Sequence, residues 1–179
     1  MSENYTCATC GQVHAGLPMS FAAEFPDQYA NMGREERDAR AVISSDQCII
    51  DQEWFFIRGC LEIPIVESGD VFLWGLWTSV REEIFDELSE CWELKGRERS
   101  RGPFKGRLAN SLSVYPPTLN LKVQIVIRPV GERPLFVVEE TDHALAIEQS
   151  SGITHEKALA MAALLLHQER GGFPAAFQR

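Results

Sequence analysis

The chain has 179 residues, 45% of them hydrophobic, enough for one proper core, and no Gly-, Ser- or Pro-rich linker divides it, so a single domain over residues 1–179 is expected. A net charge of −9 repels phosphate backbones, and no run approaches the roughly 18 apolar residues of a membrane span, so neither nucleic acid nor a membrane is an expected partner. The start lacks the basic and apolar stretches of a signal peptide, and five cysteines, an odd number, argue for a reducing compartment, so a cytoplasmic location is expected.

In chain order, the first chemistry-bearing feature is Cys7-Ala8-Thr9-Cys10-Gly11, followed by His14. Two cysteines separated by two residues can place both thiolates on one tetrahedral metal, and a glycine after them lets the backbone turn toward the sulfurs. This is half of a zinc site in a small knuckle, residues 1–18, packed on the domain. Two other readings exist. A redox dithiol normally follows a strand at a helix start, whereas only six residues precede Cys7. A pair of incidental reduced thiols is the other. A zinc ion needs two more ligands, and His14 is the nearest local candidate.

Phe21, Phe25, Tyr29 and Met32 recur at helical spacing around Pro26, predicting a short N-terminal helix before the charged run from Arg34 to Arg40. Three antiparallel strands follow in the β-branched and aromatic segments 41–50, 54–66 and 71–78. A turn of two or three residues at Asp51-Gln52-Glu53 sets Cys48 opposite Phe55 or Phe56, and the two-residue turn puts Cys48 in the core as a small hydrophobe. Cys60 then lies roughly 13–17 Å from Cys48 at strand rise, so at most one of them joins a metal, and Cys60 is the preferred third thiol. On the strand from Trp54, alternation puts Phe55, Ile57, Leu61 and Ile63 on one face and Arg58, Cys60 and Glu62 on the other.

Ser79-Val80-Arg81-Glu82 reads as a capping box for a helix over residues 80–94 with a stripe of Ile84, Leu88, Cys91 and Trp92. The basic residues between Lys95 and Arg107 are interleaved with glycine and proline and read as a solvated loop. Alternation from Leu121 to Ile127, a turn at Gly131–Pro134 and the segment 135–139 form a second hairpin. A short strand near 144–147 and a helix capped by Thr154, with Leu159, Ala162, Ala163 and Leu166 on one face, complete the chain. The expected class is α+β: a mainly antiparallel sheet with about three helices and the N-terminal knuckle.

Arg58, Glu62 and His143 are candidates for a polar site. An arginine and a glutamate on one strand face are commonly a structural ion pair, and Asp142 and His143, adjacent in sequence, favour a hydrogen-bonded turn over a catalytic pair. No phosphate loop, nucleophile elbow, His-Glu-x-x-His or dinucleotide fingerprint is present.

Several ordered strings, among them Cys7-x-x-Cys10-Gly11-x-x-His14, Ser44-Ser45-Asp46-x-Cys48, Phe55-Phe56-Ile57-Arg58-Gly59-Cys60-Leu61-Glu62-Ile63-Pro64, Trp74-Gly75-x-Trp77, Tyr115-Pro116-x-Thr118-Leu119-Asn120 and Asp142-His143-x-Leu145-Ala146-x-Glu148-Gln149, resemble the bacterial family called domain of unknown function 2199. That resemblance implies a bacterial single-domain protein, carries no activity with it, and includes Cys48, Cys60 and His143 among its pattern positions. The functional expectation is a zinc-binding module, with a protein as a possible partner, that binds rather than catalyses. The alternatives are a zinc- or thiol-dependent hydrolase-like enzyme using the Arg58, Cys60 and Glu62 face, and an immunity or regulatory partner protein.

Overall fold

Residues 41–80 are rich in β-branched and aromatic side chains, and in the computed structural model, which describes residues 4–6, 13–99 and 102–169, they form the longest strands. The strands are β1 (Asn4–Thr6), β2 (Val13–Ala15), β3 (Ser20–Ala22), β4 (Ala41–Ile43), β5 (Gln47–Ile50), β6 (Trp54–Pro64), β7 (Val71–Val80), β8 (Phe104–Leu108), β9 (Lys122–Val126) and β10 (Leu135–Val138). The helices are α1 (Asp27–Ala30), α2 (Arg34–Arg40), α3 (Glu82–Cys91), α4 (Ala144–Ser151) and α5 (His155–Glu169).

Strands β1 and β2 pair with each other, and the other eight form one sheet in the order β3-β7-β8-β9-β10-β6-β5-β4. Because β6 also pairs with β7, the five strands from β6 to β10 close into a barrel. A chain that runs up and down through five strands meets its first strand in the same direction. The closing joint is accordingly parallel, with Leu135 facing Cys60 and the Cys60 N–H donating to Pro134 O at 2.8 Å. Strand β3 also lies parallel, on the edge of β7. The expected mixture of strands and helices is present. The sheet, however, is closed rather than open, and the described residues hold five helices instead of about three.

The alternation along β6 falls as expected: Phe55, Ile57, Leu61 and Ile63 join the main core with Phe72, Leu76, Val123, Ile125 and Phe136. Helices α3, α4 and α5 add Phe85, Leu88, Leu145, Ala146, Ala158, Met161 and Ala162 to the same cluster. The opposite face of β6 starts a second apolar cluster of Cys48, Ile50, Phe56, Trp77 and Ala109. Cys48 belongs there because the hairpin uses a three-residue turn that registers Cys48 opposite Phe56. Asp51 and Gln52 hold that turn with φ of 54° and 55°. The two-residue turn, with Cys48 beside Phe55, is therefore not the one adopted.

Other elements depart from the sequence reading for identifiable reasons. Phe21 lies in a strand, held opposite Trp74 by β3–β7 pairing, so the N-terminal helix shrinks to α1 just after Pro26, with α2 following on the charged run. Ser79 sits between Phe56 and Arg107 in the barrel wall, so β7 continues to Val80, helix α3 starts at Glu82, and the capping box is not formed. Residues 144–147 are the first turn of α4, with the His143 side chain accepting from the Leu145 N–H. The Thr154 cap of α5 is as expected, its hydroxyl accepting from the Lys157 N–H at 3.1 Å. The β9–β10 hairpin also holds, with Val123 and Ile125 inward and Lys122 and Gln124 outward.

Candidate functional site

Strand alternation sends Arg58, Cys60 and Glu62 to the outer wall of the barrel, opposite Trp77, Gly75 and Leu73 of β7. Gly75 leaves room beside Cys60 and lets β3 approach: a Cβ there would lie 2.9 Å from the Ala22 Cβ. Over this wall opens a cleft of about 830 Å³. Its floor is Cys60, Glu62 and Leu73; its sides are Phe21 of β3, Trp92 beyond α3, and Arg128 and Arg133 from the β9–β10 connection.

Two ion pairs frame the cleft. Arg128 Nη2 reaches Glu62 Oε1 at 2.6 Å, and Arg133 Nε reaches Asp46 Oδ1 at 2.6 Å. Each carboxylate and guanidinium is partly exposed, so these pairs orient side chains more than they stabilise the fold. Burial pushes the Asp46 carboxyl up, but the hydrogen bonds from Ser45 and Arg133 and the charges of Arg133 and Arg58 outweigh it and hold the group below the usual carboxylate range. Arg58 is buried, lies 5.6 Å above the Trp77 ring, and donates to the carbonyls of Ala23 at 3.0 Å and Ser45 at 3.4 Å. It thus ties β6 to the segment after β3 and to the β4–β5 turn.

Burial, joined by the Glu62 charge, raises the Cys60 thiol above its ordinary value, and the opposing charges of Arg128, Arg133 and Arg58 do not cancel that rise. The thiol is therefore protonated at neutral pH, and among the described residues no histidine lines the cleft to remove its proton. Burial pushes the Cys48 thiol further, to about 12, consistent with a packing role.

Sequence reasoning missed Asp46, Arg128 and Arg133 of the cleft, and with them Arg97. Placed in the expected solvated loop, it is instead only 2% exposed. Its guanidinium donates to the carbonyls of Trp92, Arg128, Pro129 and Glu132 and lies 5.2 Å from the centre of the Trp92 ring. It pins the connection that carries Arg128 to the end of α3. An arginine in a Gly-rich basic run gives no local signal of such burial.

The structure therefore brings Arg58, Cys60 and Glu62 onto one wall, and it does not bring His143 to them. His143 caps α4 through Nδ1, 3.1 Å from the Leu145 nitrogen, and does not line the cleft. Cys7 and Cys10 lie outside the described residues. For His14 the backbone is described, in β2 opposite Tyr5. Among the described residues, no group of three or more His, Cys, Asp or Glu side chains could hold a metal ion. No helix among them is long and apolar enough to cross a membrane.

A family model described as "Uncharacterized protein conserved in bacteria (DUF2199)" matches residues 6–153, a span that takes in β2 to β10, the cleft and α1 to α4. No curated protein and no solved structure matches the chain. With the barrel and its cleft both inside the matched span, the chain belongs to the bacterial DUF2199 family.

Proposed function

We propose that this protein is a binding module, that its ligand seats in the cleft over the outer wall of β6 and β7, and that the N-terminal knuckle carries zinc on Cys7 and Cys10. One observation carries the reading of the cleft: its volume of about 830 Å³ suits a small molecule, yet the Cys60 thiol is raised by burial and each of its framing carboxylates, Asp46 and Glu62, is paired with an arginine. Among the described residues, shape and polar anchors are present without an activated group. The spacing of Cys7 and Cys10 supports zinc, with His14 the nearest candidate for a further ligand; Cys60 could join them only as a thiolate, the state that the reading of the cleft excludes.

The test uses a library of small carboxylic acids and amides titrated into isotope-labelled protein. Binders should shift the amide signals of Cys60, Glu62, Leu73 and Arg133. Binders that perturb only other surfaces would refute the cleft as the ligand site. Turnover of an ester or thioester panel that disappears in Cys60→Ser would favour the thiol enzyme instead.

A further inference from the structure

A second cavity, of about 710 Å³, opens at the barrel end where β6 begins and β7 finishes. Its lining includes four cations, Arg81 from the start of α3 and three others that lie side by side on the sheet. Arg107 of β8 stands directly opposite Lys122 of β9, and Lys105 lies two residues before Arg107 on the same face. Like charges directly opposite one another on a sheet repel. Neither lysine ammonium has a salt bridge or hydrogen bond among the described residues, while Asn120 O accepts from Arg107 Nη1 at 3.2 Å and orients that guanidinium. The same cavity includes Glu53, Glu82, Glu83 and Glu139, and Glu139 follows the register next to Lys122. No ion pair joins any of these carboxylates to the three cations among the described residues.

Two further features meet at this mouth. Trp54, the first residue of β6, is 46% exposed and forms part of the cavity wall. Beside it, Gln52 sits at φ 55° in the three-residue turn whose register pairs Ile50 with Trp54 and so fixes where the indole stands. An exposed indole offers a flat face on which a ring can stack.

We infer that the barrel mouth is a binding site for a small phosphorylated molecule with a flat ring, of the mononucleotide class, its phosphate on Lys105, Arg107 and Lys122 and its ring on Trp54. Phosphate suits this position because it supplies several strong acceptors to the two lysine ammoniums, which have no partner among the described residues, and to the guanidinium that Asn120 O orients, and its charge relieves the Arg107–Lys122 repulsion. This site is separate from the cleft and stands or falls independently of it.

Titration of the intact protein with AMP, followed by tryptophan fluorescence and calorimetry, tests the inference. AMP should saturate at sub-millimolar concentration, and adenosine or inorganic phosphate alone should bind at least about tenfold more weakly. Lys122→Gln and Arg107→Gln should each weaken AMP binding about tenfold, and Trp54→Leu should remove the fluorescence response. Both charged positions are exposed on strands, and circular dichroism checks that the variants stay folded. Absence of saturation by AMP, GMP, CMP and UMP overturns the inference, as does undiminished AMP affinity in the folded Lys122→Gln and Arg107→Gln variants. Inorganic phosphate binding as tightly as AMP overturns the role given to Trp54. Shifts at Cys60 and Glu62 in place of the mouth would assign AMP to the cleft and overturn the site.

Discussion

Gly59→Ala tests the closure of the barrel at its least obvious point. Gly59 faces the core at the joint between β6 and β10, where a Cβ would lie 2.5 Å from Phe136 Cε1 and 2.7 Å from Pro134 O. Ordinary carbon contacts are about 3.5–4 Å, so the ring would have to move by roughly 1 Å. Phe136 is fully buried, and Pro134 O accepts the Cys60 N–H bond of the closing joint. Overpacking of this kind costs about 1–3 kcal/mol, and simultaneous strain on a backbone bond places the expectation near the upper end, about 3 kcal/mol. With urea slopes of about 1–3 kcal/mol/M, the midpoint should fall by at least about 1 M. A second variant separates steric conflict from a generic strand effect: combining Gly59→Ala with Phe136→Leu should cost less than the sum of the two, by more than about 1 kcal/mol, because one change removes the atoms the other strikes. A loss below about 0.5 kcal/mol for Gly59→Ala, or strict additivity of the pair, would refute the closed joint as described.

Arg97→Ala should destabilise the fold by about 3 kcal/mol, since four carbonyls lose a charged donor in a buried setting; unchanged urea unfolding and unchanged amide exchange at residues 128–132 would count against the bracing role. The raised thiol of Cys48 makes a signed prediction. Its contribution is complete below the ordinary thiol value and is lost as pH rises toward about 12, because the unfolded chain releases that proton first. Wild-type protein should therefore lose more stability than Cys48→Val between about pH 8 and pH 11, and equal slopes would show that the thiol is not shielded. For the knuckle, elemental analysis of untagged protein should find close to one zinc per chain. Absence of metal, with freely alkylated Cys7 and Cys10, would remove zinc from the account.

The parts of the molecule legible in sequence are those set by local periodicity. Alternation along β6 separates Ile57 and Leu61 from Arg58 and Cys60 without any knowledge of their neighbours. The barrel itself was not legible, because closure rests on contacts distant in sequence, such as Cys60 with Pro134. Strand β8 was hidden by Gly106, which a turn-seeking reading takes as a breaker. It is there because a Cβ would lie 2.7 Å from Thr78 Oγ1. Residues 144–147 misled in the opposite sense, an apolar run too short for periodicity to distinguish helix from strand. Half of the cleft was legible, the wall of Arg58, Cys60 and Glu62. The other half was not, since Arg128 and Arg133 reach their carboxylates across 66 and 87 residues of chain.

The central claim is that the cleft binds and does not catalyse, and the ionisation of Cys60 tests it most directly. Alkylation of the intact folded protein with iodoacetamide, resolved by peptide mass spectrometry across pH, measures that ionisation. Cys60 is expected to react slowly at neutral pH, with a rate still rising above the ordinary thiol value of 9.0. A rate already at its plateau below about pH 7 would mean a stabilised thiolate and would contradict the account in favour of thiol catalysis.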